Sequence, residues 1–101
     1  NSLFCASNKL TLMDVTNLKN LKVLSCSSNQ LESLKIYGLK NLEKVYCDTN
    51  QLTSLNLNGL TNLKQLYCAS NQLPELQLFG LDNLINLDCN NNELTNLSVM
   101  V

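Results

Sequence analysis

The chain contains no histidine, no tryptophan and no arginine, and all seven of its cations are lysines. Without histidine it lacks the usual proton shuttle and the commonest activator of a nucleophile. Without arginine it lacks the planar fork that grips phosphate in a bidentate manner. Seven lysines against eight acidic residues leave a net charge of −1, so no basic field exists to hold nucleic acid. No apolar run approaches the roughly 20 residues that span a bilayer, which argues against membrane insertion. Proline occurs once and glycine three times in 101 residues, with no break in composition. A single domain over residues 1–101 is therefore expected.

What the chain does have is a repeat of 21 residues. With Leu21 as position 1, "LKVLSCSSNQLESLKIYGLKN" is followed by "LEKVYCDTNQLTSLNLNGLTN" and "LKQLYCASNQLPELQLFGLDN". Partial units "NSLFCASNKLTLMDVTNLKN" and "LINLDCNNNELTNLSVMV" flank them, so a piece of a longer solenoid without visible caps is expected. The frame reads L-x-x-L-x-C-x-x-N-x-L-x-x-L-x-L-x-G-L-x-N, with Val45 at position 4 and Val15, Ile36 and Val99 at position 16.

Around positions 3–7 ("VLSCS", "KVYCD", "QLYCA") side chains alternate with period two, the mark of a half-buried strand. A second, shorter alternation follows at positions 14–16 ("LKI", "LNL", "LQL"). Neither has helical spacing or length. Each unit thus reads as one coil: a strand, a bend, a short strand or 3₁₀ piece, and a return turn. Gly38, Gly59 and Gly80 stand at position 18, where a left-handed backbone suits glycine. Asn8, Asn29, Asn50, Asn71 and Asn92 form a polar column at position 9. Its side chains are expected to satisfy backbone groups of their own bend and of the next coil, and a polar binding track is the alternative.

The run L-x-x-L-x-C-x-x-N-x-L resembles the leucine-rich repeat, and the 21-residue length with cysteine at position 6 resembles the bacterial, internalin-like subclass with a cysteine ladder. The resemblance covers all five units. It implies a right-handed leucine-rich repeat solenoid with a parallel concave β-sheet and short strands or 3₁₀ turns on the convex side. For function it implies a ligand-binding surface, commonly on secreted or cell-surface proteins.

Cys5, Cys26, Cys47, Cys68 and Cys89 occupy position 6 in every unit. Five thiols cannot pair completely, and neighbours about 4.8 Å apart with parallel Cβ vectors match disulfide geometry poorly. A straight row does not converge tetrahedrally on zinc, and a catalytic thiol would need a base that the composition does not supply. Five reduced thiols buried as small hydrophobes are therefore expected, with no metal or other cofactor called for.

Fixed inward columns leave function to the outward ones. Position 5 carries Phe4, Ser25, Tyr46, Tyr67 and Asp88, which include three of the five aromatics. Position 3 carries Lys44 and Gln65, and position 7 carries Asp48 and Asn90. Tyr46, Tyr67 and Phe4 are candidate apolar anchors, with Lys44, Asp48, Gln65, Asp88 and Asn90 as polar selectors. Cross-strand packing of the rings is the alternative reading. Tyr37 and Phe79, both at position 17, are read as covers for the turn edge. Lys22, Glu43 and Lys64 alternate in sign down position 2 and suit surface ion pairs.

A non-enzymatic module that binds a protein, or a glycan, through its concave face is the expected function. A structural spacer and a targeting arm of a larger enzyme or effector are the alternatives. Terminal coils with apolar cross-sections would also favour end-to-end self-association unless they are covered.

Overall fold

The computed structural model describes residues 1–98 as a parallel β-solenoid, with no helix among them. Nine three-residue strands follow in order: β1 (Ser2–Phe4), β2 (Leu12–Asp14), β3 (Val23–Ser25), β4 (Ser33–Lys35), β5 (Lys44–Tyr46), β6 (Gln65–Tyr67), β7 (Glu75–Gln77), β8 (Asn86–Asp88) and β9 (Asn96–Ser98). Strands β1, β3, β5, β6 and β8 form one parallel sheet in that order. Its register steps by one repeat each time: Leu3 pairs with Leu24, Leu24 with Val45, Val45 with Leu66, and Leu66 with Leu87.

Leucine columns drive the coil closed. Leu24, Val45 and Leu66 from the strand, Leu31, Leu52 and Leu73 from the bend, and Leu42 and Leu63 from the next return are fully excluded from water. Each wholly buried leucine removes apolar surface worth about 1.5–3 kcal/mol. No coil can bury this face alone, so the stack is the unit of stability. Val99, assigned to the position-16 column, lies outside the described residues.

The bend after each strand has an unusual conformation. Ser7, Ser28, Thr49, Ser70 and Asn91, all at position 8, adopt φ between 56° and 59°. The asparagine that follows secures it. Asn50 Nδ2 donates to Cys47 O at 3.0 Å and to Cys26 O at 3.1 Å, while its Oδ1 accepts from Leu31 N at 3.0 Å. Asn29, Asn71 and Asn92 repeat the pattern. The coil so bridged is the preceding one, not the next. Asn29, Asn50 and Asn71 are buried, so this is the backbone satisfaction that a closed bend requires.

The opposite side is less regular. The position-14 alternation forms strands in coils 1, 2, 4 and 5, one residue earlier than its apolar positions suggest, as the pairs β2–β4 and β7–β9. In coil 3 the stretch 53–58 is not a strand. Elsewhere position 12 donates to the coil before: Glu32 N to Thr11 O at 2.8 Å and Thr95 N to Pro74 O at 2.9 Å. Between coils 3 and 4 the donor would be Pro74, which has no N–H. Between coils 2 and 3 the contact moves to the glycine turn, where Gly38 N donates to Asn58 O at 2.8 Å. A Cβ on Gly59 would lie 3.0 Å from Gly38 Cα, so this approach needs glycine as well as its φ of +80°.

Candidate recognition surface

The five-stranded sheet sends positions 4 and 6 inward and positions 3, 5 and 7 outward. Cys26, Cys47 and Cys68 have no exposed surface, whereas Cys5 and Cys89 are half-buried. The expectation of five buried thiols therefore holds for the middle three only, because the outer two have a neighbouring coil on one side alone. All five are free of disulfides. Burial pushes the Cys26 and Cys68 thiols up to about 12, holds that of Cys47 well above its ordinary value, and also raises Cys5. A thiol that resists ionisation is a poor nucleophile and a poor metal ligand. No cluster of potential metal ligands occurs among the described residues.

On the outward side the sheet register sets Tyr46 directly beside Tyr67. Their rings stack with centroids 5.0 Å apart and planes 7° from parallel. Tyr67 Oη donates to Gln65 Oε1 at 3.2 Å, which holds the second ring upright. The rings therefore pack across strands, as the alternative reading expects, while each keeps part of its surface accessible.

The other candidates surround this stack. Phe4 stands in the same column two coils away and is 71% exposed. Asp88 adjoins Tyr67 on the other side and accepts from Asn90 N at 3.1 Å. Lys44 pairs in register with Gln65 along one flank. On the other flank Asp48 accepts from Ser27 Oγ at 2.5 Å. Phe4, Lys44, Tyr46, Asp48, Gln65, Tyr67, Asp88 and Asn90 thus share one face. Ser27, which aims the Asp48 carboxylate toward its own coil, was not among the expected site residues. Its signal was only its place opposite an aspartate one repeat later.

The position-2 charges pair once. Lys64 Nζ lies 3.4 Å from Glu43 Oε1, while Lys22 makes no such contact among the described residues. An exposed pair of this kind contributes at most about 1 kcal/mol. Tyr37 and Phe79 are exposed beside Gly38 and Gly80 and lie two coils apart, so they make no joint surface. A shallow cleft of about 330 Å³ opens beside Pro74, lined chiefly by Thr53, Ser54, Asn56, Glu75 and Gln77. It is the convex-side gap left by the missing strand.

Residues 19–60 match the protein family described as Leucine Rich repeats (2 copies). No curated protein matches the chain. The matched stretch contains coil 2 and most of coil 3, and the same 21-residue register continues through the sheet on both sides of it.

Proposed function

We propose that this leucine-rich-repeat solenoid is a non-enzymatic recognition module that binds a protein partner through its concave sheet. Leucine-rich-repeat domains commonly mediate protein–protein binding, and the fold serves typically as a scaffold without catalytic machinery. The Tyr46–Tyr67 stack carries the reading: two large rings are held side by side on a rigid sheet, ringed by polar groups of both signs. Rigid aromatics lose little entropy on binding, which suits them to be anchors. The interior supports the same reading, since its repeated thiols and asparagines are consumed by packing and backbone hydrogen bonds.

Affinity capture with the full chain tests it. The Tyr46→Ala/Tyr67→Ala double variant should weaken partner retention by about 10–100-fold, as for interface hot spots. Glu75→Ala on the opposite side should leave retention unchanged. Equal retention by all three proteins would contradict the proposal. Retention of a glycan instead of a protein would keep the surface and replace the class of partner.

A further inference from the structure

The glycine turns of coils 2, 3 and 4 differ in the residue before the glycine, which is Tyr37, Asn58 and Phe79 in turn. Asn58–Gly59 is the one Asn–Gly step in the chain. Glycine carries no Cβ to shield its amide nitrogen, so the preceding side chain can approach it. Leu60 N closes the turn by donating to Leu57 O at 3.4 Å. Inside the turn the two reacting groups are uncommitted. Among the described residues neither the Asn58 carboxamide nor Gly59 N makes a hydrogen bond. Asn58 is exposed and borders the convex cleft, so water reaches it.

The repeated asparagines are held differently. Asn29, Asn50 and Asn71 fix their carboxamides on two coils at once. The amides that follow them, of Gln30, Gln51 and Gln72, donate to the preceding coil at 2.8–2.9 Å. Asn41, Asn62 and Asn83 donate through Nδ2 to the preceding coil, and the leucine amide after each is also bonded. At all these sites the carboxamide is not free to swing and the next nitrogen is not free to attack.

We propose that Asn58 is a site of spontaneous covalent modification, deamidation through Gly59, and that its isoaspartyl product unties the convex stretch of coil 3 from coil 2. Gly59 N attacks Asn58 Cγ, and the new N–Cγ bond closes a succinimide ring. Nδ2 leaves as ammonia, taking the proton that Gly59 N gives up. Water then opens the ring. Cleavage at Cγ leaves aspartate, whereas cleavage at the main-chain carbonyl leaves isoaspartate, whose backbone runs through the former side chain. Over residues 53–59 the bond from Gly38 N to Asn58 O, at 2.8 Å, is the single hydrogen bond to a neighbouring coil among the described residues. Isoaspartate turns that carbonyl into a pendant carboxylate and lengthens the chain at a turn already too close for a Cβ. The inference concerns the convex side and does not depend on the concave-face reading.

The test incubates the full chain at neutral pH and follows it by peptide-mapping mass spectrometry. Asn58 should convert first, with the change from NH₂ to OH confined to its peptide, and an isoaspartyl methyltransferase should label that peptide. In the isoaspartyl fraction the Gly38 amide should lose its protection against hydrogen exchange. Asn58→Gln, aged in parallel, should keep it, because glutamine must close a larger ring. Freshly prepared Asn58→Asp should keep it as well, since it carries the new charge on an ordinary backbone. Conversion at Asn58 no faster than at Asn41 or Asn62 would overturn the site. A Gly38 amide that stays protected in the isoaspartyl fraction, or that is lost equally in Asn58→Asp, would overturn the untying.

Discussion

The two sides of the coil are built from the same repeat, yet one forms an unbroken sheet and the other does not. On the concave side five strands pair in a constant register. On the convex side two separate pairs flank a coil without a strand. The concave bend is anchored by an asparagine that ties each of coils 2 to 5 to the one before it. Asn41, Asn62 and Asn83 tie the return turns in the same way. The convex stretch of coil 3, however, is held to neither neighbour by such a ladder, and on its coil-4 side Pro74 also removes a backbone donor. Periodic side-chain anchoring makes a solenoid face tolerant of local variation, and backbone pairing alone does not.

The largest loss of stability is expected at the asparagine column. Asn50→Leu removes three buried hydrogen bonds and strands the Leu31 amide, while Cys26 O and Cys47 O keep the donors of Asn29 and Asn71. With about 1–3 kcal/mol for the stranded amide and about 0.5–1.5 kcal/mol for each of the other two bonds, a loss of about 2–5 kcal/mol is expected. Urea denaturation followed by circular dichroism measures it; a loss below about 1 kcal/mol would show that the column does not hold the concave side.

Alkaline pH attacks the same side through the sulfurs. The Cys26 and Cys68 thiols ionise near 12 in the fold, against an ordinary value of 9.0. Below pH 9 they are neutral whether folded or unfolded, and their burial contributes in full. Between 9 and 12 the unfolded chain releases protons that the folded chain keeps, so stability falls as pH rises. Each such thiol costs up to about 1.4 kcal/mol per pH unit. Urea midpoints should fall from pH 9 to 11 in the wild type and fall much less in a Cys26→Ala/Cys47→Ala/Cys68→Ala variant, which keeps only the raised thiol of Cys5.

Pro74→Thr probes the convex side. It supplies the missing donor to Thr53 O, worth about 0.5–1.5 kcal/mol, partly offset by the greater freedom of the unfolded chain. The sharper readout is hydrogen exchange: the new amide at position 74 should be protected as the Thr95 amide is. Exchange at the rate of an open loop would mean that the gap has another cause.

The smallest effect is expected at the left-handed bend. Thr49 is the only β-branched residue among the five position-8 sites, at φ 58°. Asn tolerates that region better, so Thr49→Asn should raise stability by up to about 1 kcal/mol. A lower melting temperature in that variant would show that the threonine has a compensating role.

Much of the concave side was legible in the sequence because each of its constraints recurs. The 21-residue return of Leu24, Cys26 and Asn29 dictates strand, interior and bend together. The stacking of Tyr46 on Tyr67 followed from their shared position, as did the grouping of the polar candidates around them. Three features were harder to read. The left-handed bend was marked only by the absence of any large residue at position 8. The reach of each asparagine to the preceding coil depends on how the bend tilts, which the period does not specify. On its coil-4 side the convex break includes the backbone proton that Pro74 lacks, on its coil-2 side the contact moves to the glycine turn, and the apolar alternation at Leu55 and Leu57 concealed both. Burial of Cys5 and Cys89 was overestimated because a column shows that sites are equivalent, not how many neighbours each has.

The solenoid stacks its sulfurs inside the coil, one per turn, beneath an outward column that carries the aromatic pair. Timed alkylation of the folded full chain, resolved cysteine by cysteine by mass spectrometry, tests this most directly. Cys5 and Cys89 should label first, and Cys26, Cys47 and Cys68 should label only at the rate at which the solenoid opens. Labelling of the middle three as fast as in urea would contradict the fold and everything placed on its surface.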